Sequence, residues 1–463
     1  MTDNIDTIER ESVKRTYAVD PTTGSLTKGL LSLAIPFILA MLVETLFNIT
    51  NMLFVSRLGS AAIAAVSFCG IMLMLTSVAV EGMSGAAVAL IARRVGEKDL
   101  TGAGIVSVQI YMVGILFSFA LGILGYIYAE PLMRLIGAND LIVSHGLGYC
   151  RIYFIGMTSV FLLFITQAIL RGAGEPIMPF VILVISALAN IVLDFLLIFG
   201  IGPFPKMGVA GAGLATIIAR GIGSIIGIFF LFNGYSIVKI RFSDFVIDFK
   251  IIKNVFKIAF PSMGRMSLNS FSRIALMKIV TLFGTSAVAA YGIGLRLDML
   301  VFLPGLGFAG AVSTMVGQNL GAKSPERAEK STWIALGYNT LIMSFFGILF
   351  FFMAKEIIGV FDKNQDVLEL GETYLKVVAP SYFLLGVRLV LGGALRGAGD
   401  NFAPMVISLI TLFGIQIPLA YYLSKWAALN TTGIWLSIAG VNFFEALLLS
   451  YWFKRGGWKE KIF

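Results

Sequence analysis

The sequence predicts an all-α polytopic membrane protein, with twelve transmembrane helices in two parallel six-helix repeats around a central cleft. Three observations predict it. Apolar residues come in runs of about 20 or more, long enough to cross a bilayer as helices. Lys and Arg are unevenly shared between alternate loops, and a set of residues returns after 225 positions. Of 463 residues, 58% are hydrophobic and 13% charged, with mean hydropathy +0.90. A soluble domain carries roughly 25% charged residues, so the deficit of charge places the chain in lipid.

Taken in order, residues 1–28 are polar, carry both charge signs, and read as a cytosolic tail unlike a signal peptide. Spans 1–6 lie near 29–55, 61–91, 102–128, 144–170, 176–202 and 209–234, making an N-lobe over 29–234. A charged stretch, 235–253, reads as a cytosolic linker. Spans 7–12 lie near 254–282, 286–318, 329–354, 372–395, 402–424 and 432–454, making a C-lobe over 254–454, with a second cytosolic tail at 455–463. With the N-terminus in the cytosol, that side holds Arg93, Arg94, Lys98, Arg171, Lys239, Arg241, Lys323, Arg327 and Arg396 among others. The far side keeps a smaller set, including Arg57, Arg134 and Lys206. The bias follows the positive-inside rule, so both termini are expected in the cytosol and the protein in the plasma membrane. The net charge of +9 is then topology and attraction to lipid head groups, and nucleic acid is not a partner.

The composition also excludes function classes. A lone His145 rules out most zinc sites, and no P-loop, HExxH or GxSxG pattern occurs, so an enzyme is not expected. Cys69 and Cys150 fall in apolar stretches without CxxC spacing and read as buried thiols.

"LRGAGE" (170–175) returns as "LRGAGD" (395–400), and the same offset places Pro36 on Pro261, Gly59 on Gly284, Gly96 on Gly321, Pro179 on Pro404 and Gly208 on Gly433. No gap is needed. Six helices per copy means both copies enter the membrane in the same direction, as parallel repeats. The repeated "RGAG" itself reads as a tight cytosolic turn with an arginine anchor.

A duplication supplies an internal control, because scaffold residues recur and site residues need not. Asn190 and Asp194 of "NIVLD" map onto Ile415 and Leu419, so the fold does not require polarity there. No basic residue lies between Arg171 and Lys206. A carboxylate near mid-helix costs about 2.5–3.5 kcal/mol on insertion scales, which makes Asp194 a functional candidate. At i, i+4, Asn190 and Asp194 share one face of span 5. Span 1 offers Glu44, Asn48 and Asn51, span 4 Gln167 and span 6 Thr216. Loss of water favours a neutral, protonated carboxyl, so proton uptake is open to these acids. The same oxygen set could equally hold Na⁺, with no other metal and no cofactor expected.

The second lobe is basic. Arg265, Asn269 and Arg273 form a stripe on span 7, with Asn269 at the position of Glu44, and Arg296 lies on span 8 near Asp298. Arg265, Arg273 and Arg296, with Asn48 of span 1, are candidates for the substrate cleft or a gate. Glu44 is expected to pair with Arg265 or Arg273 in one gated state. Arg220 and Glu445 share the repeat offset and read as members of structural pairs.

Twelve spans in two halves, "LRGAG" after spans 4 and 10, "ANIVLD" in span 5 and "YGIGLRLDMLVFLPGLGFAGAVSTMVGQNLGA" (291–322) together resemble the multidrug and toxic compound extrusion (MATE) family over nearly the whole chain. The resemblance implies an antiporter that expels amphipathic, often cationic, compounds against H⁺ or Na⁺. It implies Asp194 and Asn190 as the cation site, with Gln167 and Thr216 beside it. Two departures stand out. Where such relatives carry a span 1 acid this chain has Asn51, and where others carry C-lobe acids it has Asn269 and Leu385. Coupling is therefore expected in the N-lobe. The function expected is secondary active multidrug export by alternating access, by a monomer, with small amphipathic substrates and membrane lipids as partners. A lipid or lipid-linked oligosaccharide flippase of the wider superfamily is the alternative, favoured by the basic second lobe.

Overall fold

A computed structural model describes residues 21–461, with the side chain of Leu75 left aside. Most of the expected N-terminal tail and the last two residues therefore lie outside the described residues. Every regular element among them is helical. The helices are α1 Leu26–Ser56, α2 Ser60–Gly96, α3 Leu100–Leu135, α4 Asp140–Ile155 continuing as Met157–Ala173, α5 Ile177–Phe199 and α6 Val209–Phe232. There follow α7 Phe249–Val280, α8 Thr285–Gly321, α9 Pro325–Phe352, α10 Gln365–Gly397, α11 Phe402–Trp426 and α12 Asn430–Arg455. Eleven of these, with bent pairs taken as one span, are long and apolar enough to cross a membrane. The twelfth, α7, fails only that apolar test. Its 32 residues extend about 48 Å at 1.5 Å per residue, and its lysines and arginines lower its hydropathy.

Local chemistry explains the breaks. Asp99 caps α3 by accepting from the Gly102 N–H at 2.8 Å, and Asn139 caps α4 through the Ile142 N–H at 2.9 Å. The repeat-related Gly59 and Gly284 lead into α2 and α8 with φ of +99° and +92°, a conformation that favours glycine. α4 bends by 52° at Gly156. Pro36 sits inside α1 without ending it. α11 differs from its repeat partner α5: Ile410–Gln416 and Tyr422–Trp426 are wound as π-helix on either side of Pro418. Proline removes an N–H and crowds the preceding turn, and widening that turn accommodates it.

The chain forms two compact units, one of Ile35–Ala259 and one of Phe260–Phe463 with Pro21–Ala34. In α1 and α7 the division falls at the residue before the repeat-related prolines, Pro36 and Pro261. Within the first unit the two cysteines, expected as thiols, instead form a disulfide from α2 to α4, with Cα atoms 5.8 Å apart. Their separation of 81 residues carried no pairing signal; the packing of the two helices supplies it.

The "LRGAG" acids explain themselves here. Glu175 Oε1 accepts from the Ile237 N–H at 2.8 Å, holding the segment that follows α6. Asp400 accepts from Trp452 Nε1 at 2.9 Å and Lys461 Nζ at 2.7 Å, holding the segment that follows α12. Each repeat therefore uses the acid after its fourth helix to fasten the chain leaving its sixth. The 235–253 stretch is ordered accordingly. Gln109 of α3 donates through Nε2 to the Val246 carbonyl and accepts from the Asp248 N–H at 3.3 Å. The residues after α12 likewise dock. Trp458 is fully buried, stacks on Phe453 and donates to its carbonyl at 2.9 Å.

Candidate functional site

Asp194 and Asn190, four residues apart on α5, are both fully buried in the first unit. The Asn190 carboxamide is oriented by its neighbours: its nitrogen donates to Asp194 Oδ2 at 2.9 Å and its oxygen accepts from the Thr216 backbone N–H of α6 at 3.2 Å. The Thr216 hydroxyl donates to the Ala212 carbonyl at 2.9 Å and accepts from Asn51 Nδ2 at 3.2 Å. A continuous polar chain thus runs Asp194–Asn190–Thr216–Asn51 and joins α5, α6 and α1. Asp194 Oδ1 is buried and has no hydrogen-bond partner among the described residues. Such an oxygen costs free energy unless a proton or cation meets it. Tyr149 of α4 is an electrostatic neighbour of Asp194 that the sequence did not single out.

The remaining candidates disperse. Gln167 is buried, but its oxygen accepts from Arg171 at 3.4 Å and its Nε2 has no partner among the described residues. Nothing joins it to Asp194 by a hydrogen bond. Glu44, expected to meet Arg265 or Arg273 in one gated state, has an arginine partner within its own unit. Arg220 of α6 holds it bidentately, at 2.5 and 3.0 Å, while the guanidinium also lies over the Phe47 ring at 4.5 Å. The planar fork of arginine matches a carboxylate, and burial of Arg220 strengthens the pair. Glu44 is thereby occupied, so of these two candidate acids Asp194 is the one with a buried, unpartnered oxygen. Asn48 is exposed and donates to the Glu44 carbonyl of its own helix at 2.9 Å, so the span 1 stripe divides into three separate roles.

In the second unit, Arg273 lines a cavity with Asp298, whereas Arg296 is exposed and outside it. The Asp298 carboxylate accepts from the Tyr374 and Tyr382 hydroxyls, each at 2.6 Å. Glu445 pairs with Arg388 at 2.8 Å and accepts from the Ser408 hydroxyl at 2.9 Å. Arg265 is half-buried, and its backbone carbonyl accepts from Asn269 at 2.8 Å. Sequence reasoning missed the partners of Arg220 and Glu445. The available signal was their shared offset together with the need of any buried charge for an opposite one. No group of three or more His, Cys, Asp or Glu placed to hold a metal occurs among the described residues.

The sequence model of the MatE family matches residues 36–196 and 261–422. The chain is 28% identical over 437 residues to the probable multidrug resistance protein YoeA of Bacillus subtilis, covering 92% of this chain and 93% of that one. It is 28% identical over 398 residues to the FAD transporter of Shewanella oneidensis, covering 84% and 86% respectively. A crystal structure of MATE in the straight conformation superposes with a TM-score of 0.88 at 24% identity, over 96% of this chain and 98% of that one.

Proposed function

The chain belongs to the MATE family of membrane transporters, and on that premise we propose that it is a secondary active multidrug exporter. Amphipathic, often cationic, compounds leave in exchange for H⁺ or Na⁺ by alternating access. The relatives named for drug resistance and export support this reading over a lipid flippase. The observation that carries the coupling site is the buried, unpartnered Oδ1 of Asp194. A single carboxylate suffices for a proton, so H⁺ is the first reading. Na⁺ would need further oxygens from its surroundings.

Uptake of the cation at Asp194 neutralises the carboxylate and changes what Asn190 donates to. Through Thr216 and Asn51 that change reaches α1. Binding on one side and release on the other then biases two access states, by as much as the cation's differential affinity for them. Both termini are placed in the cytosol and the protein in the plasma membrane. The Lys and Arg bias supports this.

Purified protein in liposomes, loaded with a cationic dye, tests the reading. An imposed proton gradient or, separately, a sodium gradient is expected to accelerate efflux. Equal efflux with and without either gradient would reject secondary active transport.

A further inference from the structure

The cavity of about 420 Å³ inside the second unit has no part in the coupling chain. We infer that it binds an amphipathic organic anion, with the Arg273 guanidinium meeting a carboxylate or phosphate and an aromatic wall meeting the apolar body. This goes beyond the export reading, whose expected substrates are cationic.

The polar groups around the cavity decide the sign of the ligand. Both oxygens of Asp298 accept tyrosine hydroxyls, from Tyr374 and Tyr382. Arg388 is held by Glu445 at 2.8 Å. Gln416 accepts from the Ser272 hydroxyl at 2.8 Å, and Asn442 donates to Ser381 at 2.9 Å. Arg273 faces the cavity with an exposed side chain. Among the described residues it makes no hydrogen bond or ion pair, its electrostatic neighbours being Asp298 and Tyr291. An anion entering here meets a free planar donor, which pairs bidentately with a carboxylate or phosphate. A cation meets no free carboxylate.

Two further facts separate a ligand site from a scaffold arginine. The repeat offset places Asn48 at the position of Arg273, so the fold does not require a guanidinium there. A charge within a membrane helix is costly and calls for a partner. Beside it, Tyr291 stacks on Trp435 at 5.5 Å and Tyr374 meets the same indole edge-on at 4.9 Å, a rigid aromatic wall. The volume falls within the range of about 300–1,000 Å³ usual for small-ligand pockets.

Equilibrium dialysis of the full chain in an uncharged detergent tests the site with radiolabelled 1-naphthoate and its cationic isostere 1-naphthylmethylammonium. The naphthoate is expected to bind saturably and more tightly than the ammonium. Arg273→Gln is expected to weaken it tenfold or more. Arg273→Lys, which keeps the charge without the fork, should lose less. Lys278→Gln, which removes a charge from the same helix outside the cavity, should stay within twofold. If Arg273→Gln does not elute as a single species, the Arg273→Lys loss and the preference for the anion carry the test. No saturable naphthoate binding, equal binding by Arg273→Gln, or preference for the ammonium would overturn the proposal. Displacement by phosphatidylglycerol would name a lipid phosphodiester as the occupant, and resistance to it a soluble anion; both support the site. The coupling reading is judged separately, by gradient-driven dye efflux from wild-type proteoliposomes, so its failure is distinguishable from failure of naphthoate binding here.

Discussion

Asp194 and Glu44 show how two acids in similar apolar surroundings come to do different things. Glu44 meets the Arg220 fork, so its charge is satisfied within the protein. Asp194 has one donor from Asn190 and one unpartnered oxygen. Hydrogen bonds to charged groups contribute about 1.5–3 kcal/mol. Asn190→Leu should therefore lower gradient-driven efflux by roughly tenfold or more at unchanged expression. Asn51→Ala, two links further along the chain, should cost only a few-fold. An equal effect of the two, measured as initial efflux rates, would argue against a chain that begins at Asp194. Asn190 and Asp194 were legible as a pair because helical spacing and the contrast with Ile415 and Leu419 are both properties of the sequence. The Glu44–Arg220 contact was not, since a separation of 176 residues is decided by how α1 packs on α6.

Between elements, that same pair ties α1 to α6. Arg220 is almost fully buried while Glu44 is partly exposed, with side-chain exposures of 6% and 22%. Arg220→Met is expected to destabilise by roughly 2 kcal/mol, below the cost of breaking a fully buried pair because water reaches Glu44. Adding Glu44→Gln should recover part of that loss in a thermal-shift assay. A double variant less stable than the single one would show that the pair matters for reasons other than charge. The fastening acid Glu175, outside the spans, carries a pH signature. Burial pushes its carboxyl above the ordinary 4.5, while the Ile237 N–H and the Ser236 hydroxyl act the other way. The folded state then holds this proton more tightly than the unfolded state. The penalty for ionising it is absent below the ordinary value and complete above the raised one. Stability should rise as pH falls through that window, and Glu175→Gln should flatten the rise, as read by melting temperature against pH. The disulfide is a third link between elements. Its reduction should lower stability by about 2–4 kcal/mol, and maleimide should label Cys69 and Cys150 only after reduction.

For the whole molecule, the helical class was legible because a backbone in lipid must satisfy its own hydrogen bonds, and only long apolar helices in this sequence do so. The duplication was legible because "LRGAG" and the prolines recur at one offset. The docking of the segments after α6 and α12 was not, since those residues are polar enough to read as a linker and a tail. Their order comes from buried acids elsewhere, Glu175 and Asp400. The proposed coupling joins these scales: a proton or sodium ion at one residue, a polar chain joining three helices, and a change of access for the protein. It is tested most directly in proteoliposomes by comparing gradient-driven dye accumulation with dye-for-dye exchange in wild type and Asp194→Asn. The account predicts that Asp194→Asn still exchanges dye downhill but no longer accumulates it under either gradient. Accumulation by Asp194→Asn at the wild-type level under the same gradient would contradict the assignment of Asp194 as the coupling site.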